Sequence, residues 1–376
     1  MSITHPQCKL CNMDAKFNTE MSNAQIARDF QVSKDSARRH RKHIDSYFTD
    51  VPVEQITSRG RTVRLPDGSY EKITYKPTAT PSEDTTTYED LKGAFDKPAK
   101  LKKAGAKGVT RVINLADFQV GKGSEYEGAM DHNDTLARVR ASIAQIKAIV
   151  EVELPEEIIL PELGDLIEGF SNTVAQAQTN SIDLTTQIRV SRRLLAEIIN
   201  DFAPLCKKLH FVSIPSNHAC VRNGIGRGNS AATSHNDWGL EISHQLEDIL
   251  KDREGFEHVE FHRPPVGEES VVLRSEVSNT TFGFVHGHQK SKPQLLGEWF
   301  QGQSHGRRNN MQNVDILLTG HFHSLNVYQS GGRWVIVCPT SDNGSSWFTN
   351  LTGEHSQAGI LSFTARNGMW ANLNIY

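Results

Sequence analysis

Five short runs of the chain pair carboxylate, amide and imidazole side chains: Asp117-Phe118-Gln119, Gly164-Asp165, Ser216-Asn217-His218, His286-Gly287-His288 and Gly320-His321-Phe322-His323. Carboxylate and amide oxygens suit hard divalent cations, and imidazole suits Mn, Fe, Ni or Zn. Two such ions a few ångströms apart can share one carboxylate and one hydroxide, and clamp the attacking and leaving oxygens of an in-line displacement. Each run alone says little, since Gly-Asp is usually a turn and His-x-His usually lies on a surface. Their weight is in the set, because each run follows an apolar strand candidate.

Those candidates are residues 109–116, 157–163, 209–214, 281–285 and 314–319. Ligands at strand ends in an α/β sheet converge on one edge, where such folds place their sites. Residues two apart in a strand point to the same face, so Asp117 with Gln119, and His321 with His323, are expected to aim together. Helices are expected over 133–152, 183–202 and 238–251, after which the chain reads mostly as strand. Strands alternating with helices, followed by a strand-rich half, predict an α/β class with two packed sheets and helices outside.

The order of the five runs resembles that of the calcineurin-like metallophosphoesterases: Asp-x-His, Gly-Asp, Gly-Asn-His-Asp/Glu, His, and Gly-His-x-His. The resemblance covers roughly residues 108–376 and implies a four-layer α/β/β/α sandwich around a dinuclear centre. It implies that Asp117, Gln119, Asp165 and His323 hold one metal. Asp165 would bridge to a second, completed by Asn217, His286 and His321. His218 would be the general acid that protonates the leaving oxygen, and His288 would touch substrate. The chain departs from the family pattern at three places. Gln119 replaces a His, a harder and weaker ligand that favours Mn or Mg over Zn, with Fe and Ni also accepted. Ser216 replaces a Gly. Ala219 stands where an acid orients the catalytic His. Arg222 and Arg227, in the polar Gly-rich loop after His218, suit a phosphate clamp.

The first fifty residues read as a small helical helix-turn-helix domain. Asn23 is expected to cap an amphipathic run whose Ile26, Ala27 and Phe30 share one face. After the turn Gln31-Val32-Ser33, a second helix carries Lys34, Arg38, Arg39, Arg41 and Lys42 against Asp35. A basic second helix of this kind lies in the major groove, which makes DNA the expected partner. Cys8, Cys11, His40 and His43 could close a tetrahedral structural zinc site. Residues 51–107 read as a linker with one hairpin around Pro66-Asp67-Gly68.

A helix-turn-helix on such a core is similar to bacteriophage gene products. The core itself resembles the family branch that contains double-strand-break-repair exonucleases, so the resemblance implies a nuclease. The alternatives are a phosphomonoesterase or small-nucleotide phosphodiesterase, which the ligand set does not separate from a nuclease. A nucleic-acid-binding regulator with a vestigial phosphoesterase domain would instead predict a broken ligand set.

The 376 residues carry a net charge of −3, which neither announces nor excludes a nucleic-acid binder. No apolar run is long enough to cross a bilayer, and residues 1–10 lack the apolar segment of a signal peptide. Five cysteines is an odd count that suits a reducing compartment, so a cytoplasmic location is expected, that of the bacterial host for a phage-encoded protein. Many relatives in the family dimerise, so a homodimer is also expected.

Overall fold

The computed structural model describes residues 22–29, 31–38, 60–64, 70–74, 95, 106–123, 132–170, 180–221, 235–306, 308–342 and 357–376. The chain forms two compact units, Met1–Thr78 and Ala79–Tyr376.

In the first unit, α1 (Asn23–Asp29) buries Ile26. Asn23 is its first helical residue rather than its cap: the Ile26 N–H already reaches the Ser22 carbonyl at 2.9 Å. The chain turns at 31–33 and is helical again over 34–38. There Ser33 does cap, its Oγ accepting from the Ser36 N–H at 3.1 Å, which satisfies one of the four orphan donors of a helix start. Strands β1 (Gly60–Arg64) and β2 (Tyr70–Thr74) form an antiparallel hairpin with Arg64 opposite Tyr70, where the sequence places one. Cys8, Cys11, Phe30, Arg39, His40, Arg41, Lys42 and His43 lie outside the described residues.

The second unit is layered. Parallel strands β3 (Ala106–Asn114), β4 (Pro155–Glu162), β5 (Lys208–Ser213) and β6 (Val259–His262) are extended by antiparallel β12 (Leu361–Arg366) and β13 (Met369–Ile375). The order is β13-β12-β3-β4-β5-β6. The other sheet runs β10-β11-β9-β8-β7, from β7 (Ser270–Ser275), β8 (Thr280–Val285), β9 (Ile316–Thr319), β10 (Asn326–Ser330) and β11 (Arg333–Val337).

Alternation along the strands builds three apolar layers. Val112, Ile159 and Val212 of the first sheet meet Phe282, Phe284, Ile316 and Ile336 of the second in the layer between them. Ile113, Ile158, Leu160 and Phe211 point the other way, against α2 (His132–Glu153), α3 (Leu184–Phe202) and α4 (Trp238–Leu250). Leu317, Val335 and Val337 face Leu296 and Phe300 of α5 (Leu296–Gly306). The result is an α/β/β/α sandwich. Each fully buried Phe of the middle layer contributes about 2–3 kcal/mol of transfer free energy.

Helix α5 and strands β6 and β13 depart from the sequence expectation. Helix α5 contains Gly297, Gly302 and Gly306, which disfavour a helix. Tertiary packing supplies what propensity lacks: Leu296 and Phe300 are fully buried, and the Arg333 guanidinium lies 4.1 Å from the Phe300 ring centre. The expected linker also contributes to the core. Phe95 is buried edge-on against Phe256 with ring centres 5.3 Å apart, and β3 begins at Ala106, before the expected domain start at 108. Among the described residues no helix is long and apolar enough to cross a membrane.

Candidate metal centre

Strands β3, β4 and β5 run parallel, so the chain leaves all three at the same sheet edge. Beyond that edge the backbone stays paired: the Asp117 N–H reaches the Gly164 carbonyl at 3.1 Å and the Gln119 N–H the Asp165 carbonyl at 2.8 Å. The two-apart pairs do not sit in strands, contrary to the pleat argument. Asp117, Gln119, Asp165, His321 and His323 all have left-handed φ, between 43° and 70°. Non-glycine residues held there cost roughly 1–3 kcal/mol each and cluster at functional sites. Two glycines are required by proximity. A Cβ on Gly164 would lie 2.7 Å from the His286 ring, and one on Gly320 2.4 Å from Asp117 Oδ2.

One half of the centre is a converging set of acceptors. His286 Nε2 lies 3.1 Å from Asp165 Oδ2 and 2.9 Å from Asn217 Oδ1. His286 Nδ1 is 2.7 Å from the Leu163 carbonyl, which fixes the proton there and turns the Nε2 lone pair inward. His321 stands edge-on to His286 with ring centres 5.0 Å apart, and its donor atom completes a group with Asp165 and His286. Only a cation or a proton relieves such a meeting of lone pairs. Burial lowers the pKa of His286, yet the Asp165 charge raises it to about 9. Burial would raise Asp165, but His286 and His218 hold it well below the ordinary carboxyl range. Burial and His286 together push His321 down to about 3, so it stays a neutral donor. Asp165, Asn217, His286 and His321 therefore fit a divalent cation.

The other half brings Asp117, Gln119 and His323 together through hydrogen bonds within the chain. The ammonium of Lys122, absent from the sequence reading, lies 2.9 Å from Gln119 Oε1 and 2.5 Å from Asp342 Oδ2. A lysine only donates, so it fixes the Gln119 amide with oxygen toward itself and nitrogen toward His323 Nε2, 3.4 Å away. An amide nitrogen does not ligate a cation. Asp117 accepts the His321 N–H at 3.0 and 2.9 Å on its two oxygens, and lies 3.5 Å from His323 Nε2. Burial would lower the pKa of Lys122, but Asp342 and Glu168 outweigh it and hold the ammonium protonated. The Gln119 amide and the Asp342 carboxylate thus hold a fixed cation of the chain's own beside Asp117 and His323.

His218 packs against the converging half. Its N–H donates to Asp165 Oδ1 at 2.8 Å, and its Nδ1 lies 3.1 Å from the Glu168 carbonyl and 3.3 Å from Glu168 Oε2. Nε2 is left toward the centre, 3.9 Å from Asp165 Oδ2. Burial lowers the His218 pKa, but Asp165 and Glu168 raise it to about 10. The acid missing at Ala219 is thus supplied by Glu168, three residues after Asp165, on a segment the sequence reading did not connect to His218.

Two buried carboxyls lie beneath. Asp237 accepts the Ser216 N–H at 3.0 Å and caps α4 through the Gly239 N–H at 2.8 Å, fixing the loop that carries Asn217. Glu162 accepts the Gly164 N–H at 2.9 Å and the Ser213 hydroxyl at 2.6 Å. His288 stacks obliquely near His286, ring centres 5.5 Å apart, with Nε2 3.8 Å from Glu269. Arg222 and Arg227 lie outside the described residues.

The chain is a four-layer α/β/β/α sandwich whose five candidate ligand runs follow β3, β4, β5, β8 and β9. No protein-family model matches the chain. Among solved structures it is similar to Vps29 of Entamoeba histolytica complexed with zinc, at 13% identity over 67% of this chain and 84% of that one, TM-score 0.31. It is also similar to an archaeal phosphodiesterase, at 13% identity over 71% and 99%, TM-score 0.31. A third is a predicted phosphoesterase of Streptococcus pneumoniae, at 10% identity over 69% and 84%, TM-score 0.28. Likenesses at this level carry no argument about chemistry.

Proposed function

We propose that the chain is a metal-dependent phosphodiesterase acting on nucleic acid, DNA first among its substrates. The observation that carries this reading is the meeting of Asp165, Asn217 and His286 acceptors beside an imidazole whose Nε2 faces them. A divalent cation held by Asp165, Asn217, His286 and His321 would supply Lewis acidity to a phosphate oxygen and acidify water, Mn being the first candidate. Lys122 supplies the positive charge of the opposite half, in place of the second ion that the family resemblance implies. His218 delivers a proton from Nε2 to the leaving oxygen, while Glu168 holds the ring through Nδ1. The basic residues 34–42 of the first unit support nucleic acid as the substrate class.

The test is hydrolysis of bis-p-nitrophenyl phosphate, p-nitrophenyl phosphate and labelled single- and double-stranded DNA, by metal-stripped protein with Mn restored. Mn-dependent DNA cleavage supports the reading. Cleavage of a small mono- or diester alone moves the substrate to a nucleotide. No hydrolysis with metal bound favours the regulator reading.

A further inference from the structure

A second set of metal-ligand side chains lies on the edge of the first sheet, upstream of Asn217 on β5 and away from the ligands at the strand ends. His210 of β5 pairs directly with Glu260 of the edge strand β6, and His262 is two residues on, so all three share one face. His210 Nδ1 lies 2.8 Å from His262 Nε2 and 3.4 Å from Glu260 Oε2, and His262 Nε2 lies 3.9 Å from that oxygen. Donors on a tetrahedral zinc, each about 2.0–2.1 Å from the ion, stand roughly 3.3 Å apart, a value these three separations bracket.

The tautomer sharpens the point. His210 Nε2 lies 3.2 Å from Glu157 Oε1, which places the proton of the neutral ring there and leaves Nδ1 as a lone pair. That lone pair accepts from the His262 Nε2–H at 2.8 Å, and the Glu260 carboxylate faces the same nitrogen at 3.4 Å. The pairing of Glu157 with a histidine whose other nitrogen faces outward is the carboxylate–histidine arrangement that orients metal ligands. Glu157 is itself fixed: Oε2 accepts from Thr110 Oγ1 at 2.6 Å and from the Ser275 hydroxyl of β7, in the other sheet. The His210 side chain is 2% exposed, but those of Glu260 and His262 are 46% and 25% exposed, which gives an ion a path in and a water as fourth ligand.

We propose that His210, Glu260 and His262 form a metal site separate from the catalytic centre. It takes a zinc-like ion and clamps the short edge strand β6 to β5. Two imidazoles and one carboxylate favour zinc, cobalt or nickel over magnesium or calcium. A clamp here also blunts a sheet edge that would otherwise offer unpaired backbone groups.

The test uses the full chain, stripped of metal, equilibrated with zinc and desalted. Elemental analysis should find one equivalent of zinc fewer per chain in His262→Ala and in Glu260→Gln than in the wild type. Cobalt in place of zinc should give the visible absorption of a tetrahedral site in the wild type, reduced in both variants. Zinc should raise the Tm of the wild type by several degrees more than that of either variant. Mn-dependent hydrolysis should be unchanged, since neither residue belongs to the centre. The Glu260→Gln change is at a half-exposed side chain and keeps its shape, so it remains informative if His262→Ala folds poorly. Equal zinc content in all three proteins overturns the proposal, as does a zinc-induced rise in Tm that survives both substitutions.

Discussion

Both halves of the candidate metal centre draw on left-handed turns, and they end differently. On one side His286 Nε2 meets Asp165 Oδ2 and Asn217 Oδ1, a contact that a proton or a cation must bridge. On the other, the Gln119 amide is held between the Lys122 ammonium and His323, and His323 faces Asp117. The difference traces to residue 119. An imidazole there would present a lone pair to an ion, whereas an amide offers its oxygen to Lys122 and turns its nitrogen inward. A Gln in place of a His is thus no simple weakening of one ligand; it goes with Lys122, three residues along, and with Asp342.

The largest effects should come from the converging half. Asp165→Ala removes the carboxylate that faces His286 and also the acceptor of the His218 N–H, so phosphodiester hydrolysis should vanish together with Mn binding in calorimetry. A variant that keeps both would break the comparison outright. His218→Ala should retain Mn and lose about 10²–10⁴-fold in kcat, the range of a positioned general acid.

Stability offers the next contrast, because the converging half stands over Glu162. Burial, reinforced by Asp237, raises its pKa from 4.5 to about 8 against the bonds from Ser213 and Gly164. A group raised on folding contributes stability that is fully present below its unfolded pKa and lost as pH climbs through the folded one. Wild-type stability should therefore fall between pH 4.5 and 8. Glu162→Gln, which mimics the neutral acid, should be more stable than the wild type by up to about 3 kcal/mol at pH 7. Urea unfolding at pH 5, 7 and 8 reads the gap, and a gap that does not widen with pH would contradict the protonated form.

The half that holds Lys122 is sharpened by metal counting. Mn(II) in the wild type should give the spectrum of an isolated ion in electron paramagnetic resonance. Lys122→Ala frees Asp342 and the Gln119 oxygen, and should admit a second Mn spin-coupled to the first. A coupled pair in the wild type would restore the dinuclear reading while leaving the phosphoesterase intact. Absence of any bound Mn would remove the centre itself.

How much of this was legible in the sequence follows from where each signal lies. The strands, and the placement of the five runs directly after them, could be read because apolar β-branched runs ending in turn residues are local patterns. The two sheets with helices outside followed from the order of strands and helices, and in the structure Ile113 faces helices while Val112 faces the other sheet. Helix α5 could not, because its glycines argue against a helix and its buried Phe300 is rewarded only by the sheet beneath. Lys122 and Glu168 could not either. Each is three residues from a recognised ligand, but its role depends on a partner far along the chain, Asp342 in one case and His218 in the other. The left-handed turns at Asp117, Asp165 and His321 have no sequence mark when the residue is not glycine.

The smallest effect tests the residue that links the halves. Glu168 holds His218 by two contacts, a main-chain carbonyl that no substitution removes and a carboxylate that Glu168→Gln neutralises. The substitution should leave folding and Mn content unchanged and lower kcat by about tenfold or less. Its signature is in the pH profile. Asp165 first and Glu168 second keep His218 protonated against burial, so the loss of one charge lowers the pKa of the acid. The basic limb of kcat against pH should shift toward lower pH in Glu168→Gln, with the acidic limb in place. A uniform drop without that shift would mean that the carboxylate only packs against the ring, and that the main-chain carbonyl and Asp165 alone hold the proton where the leaving oxygen needs it.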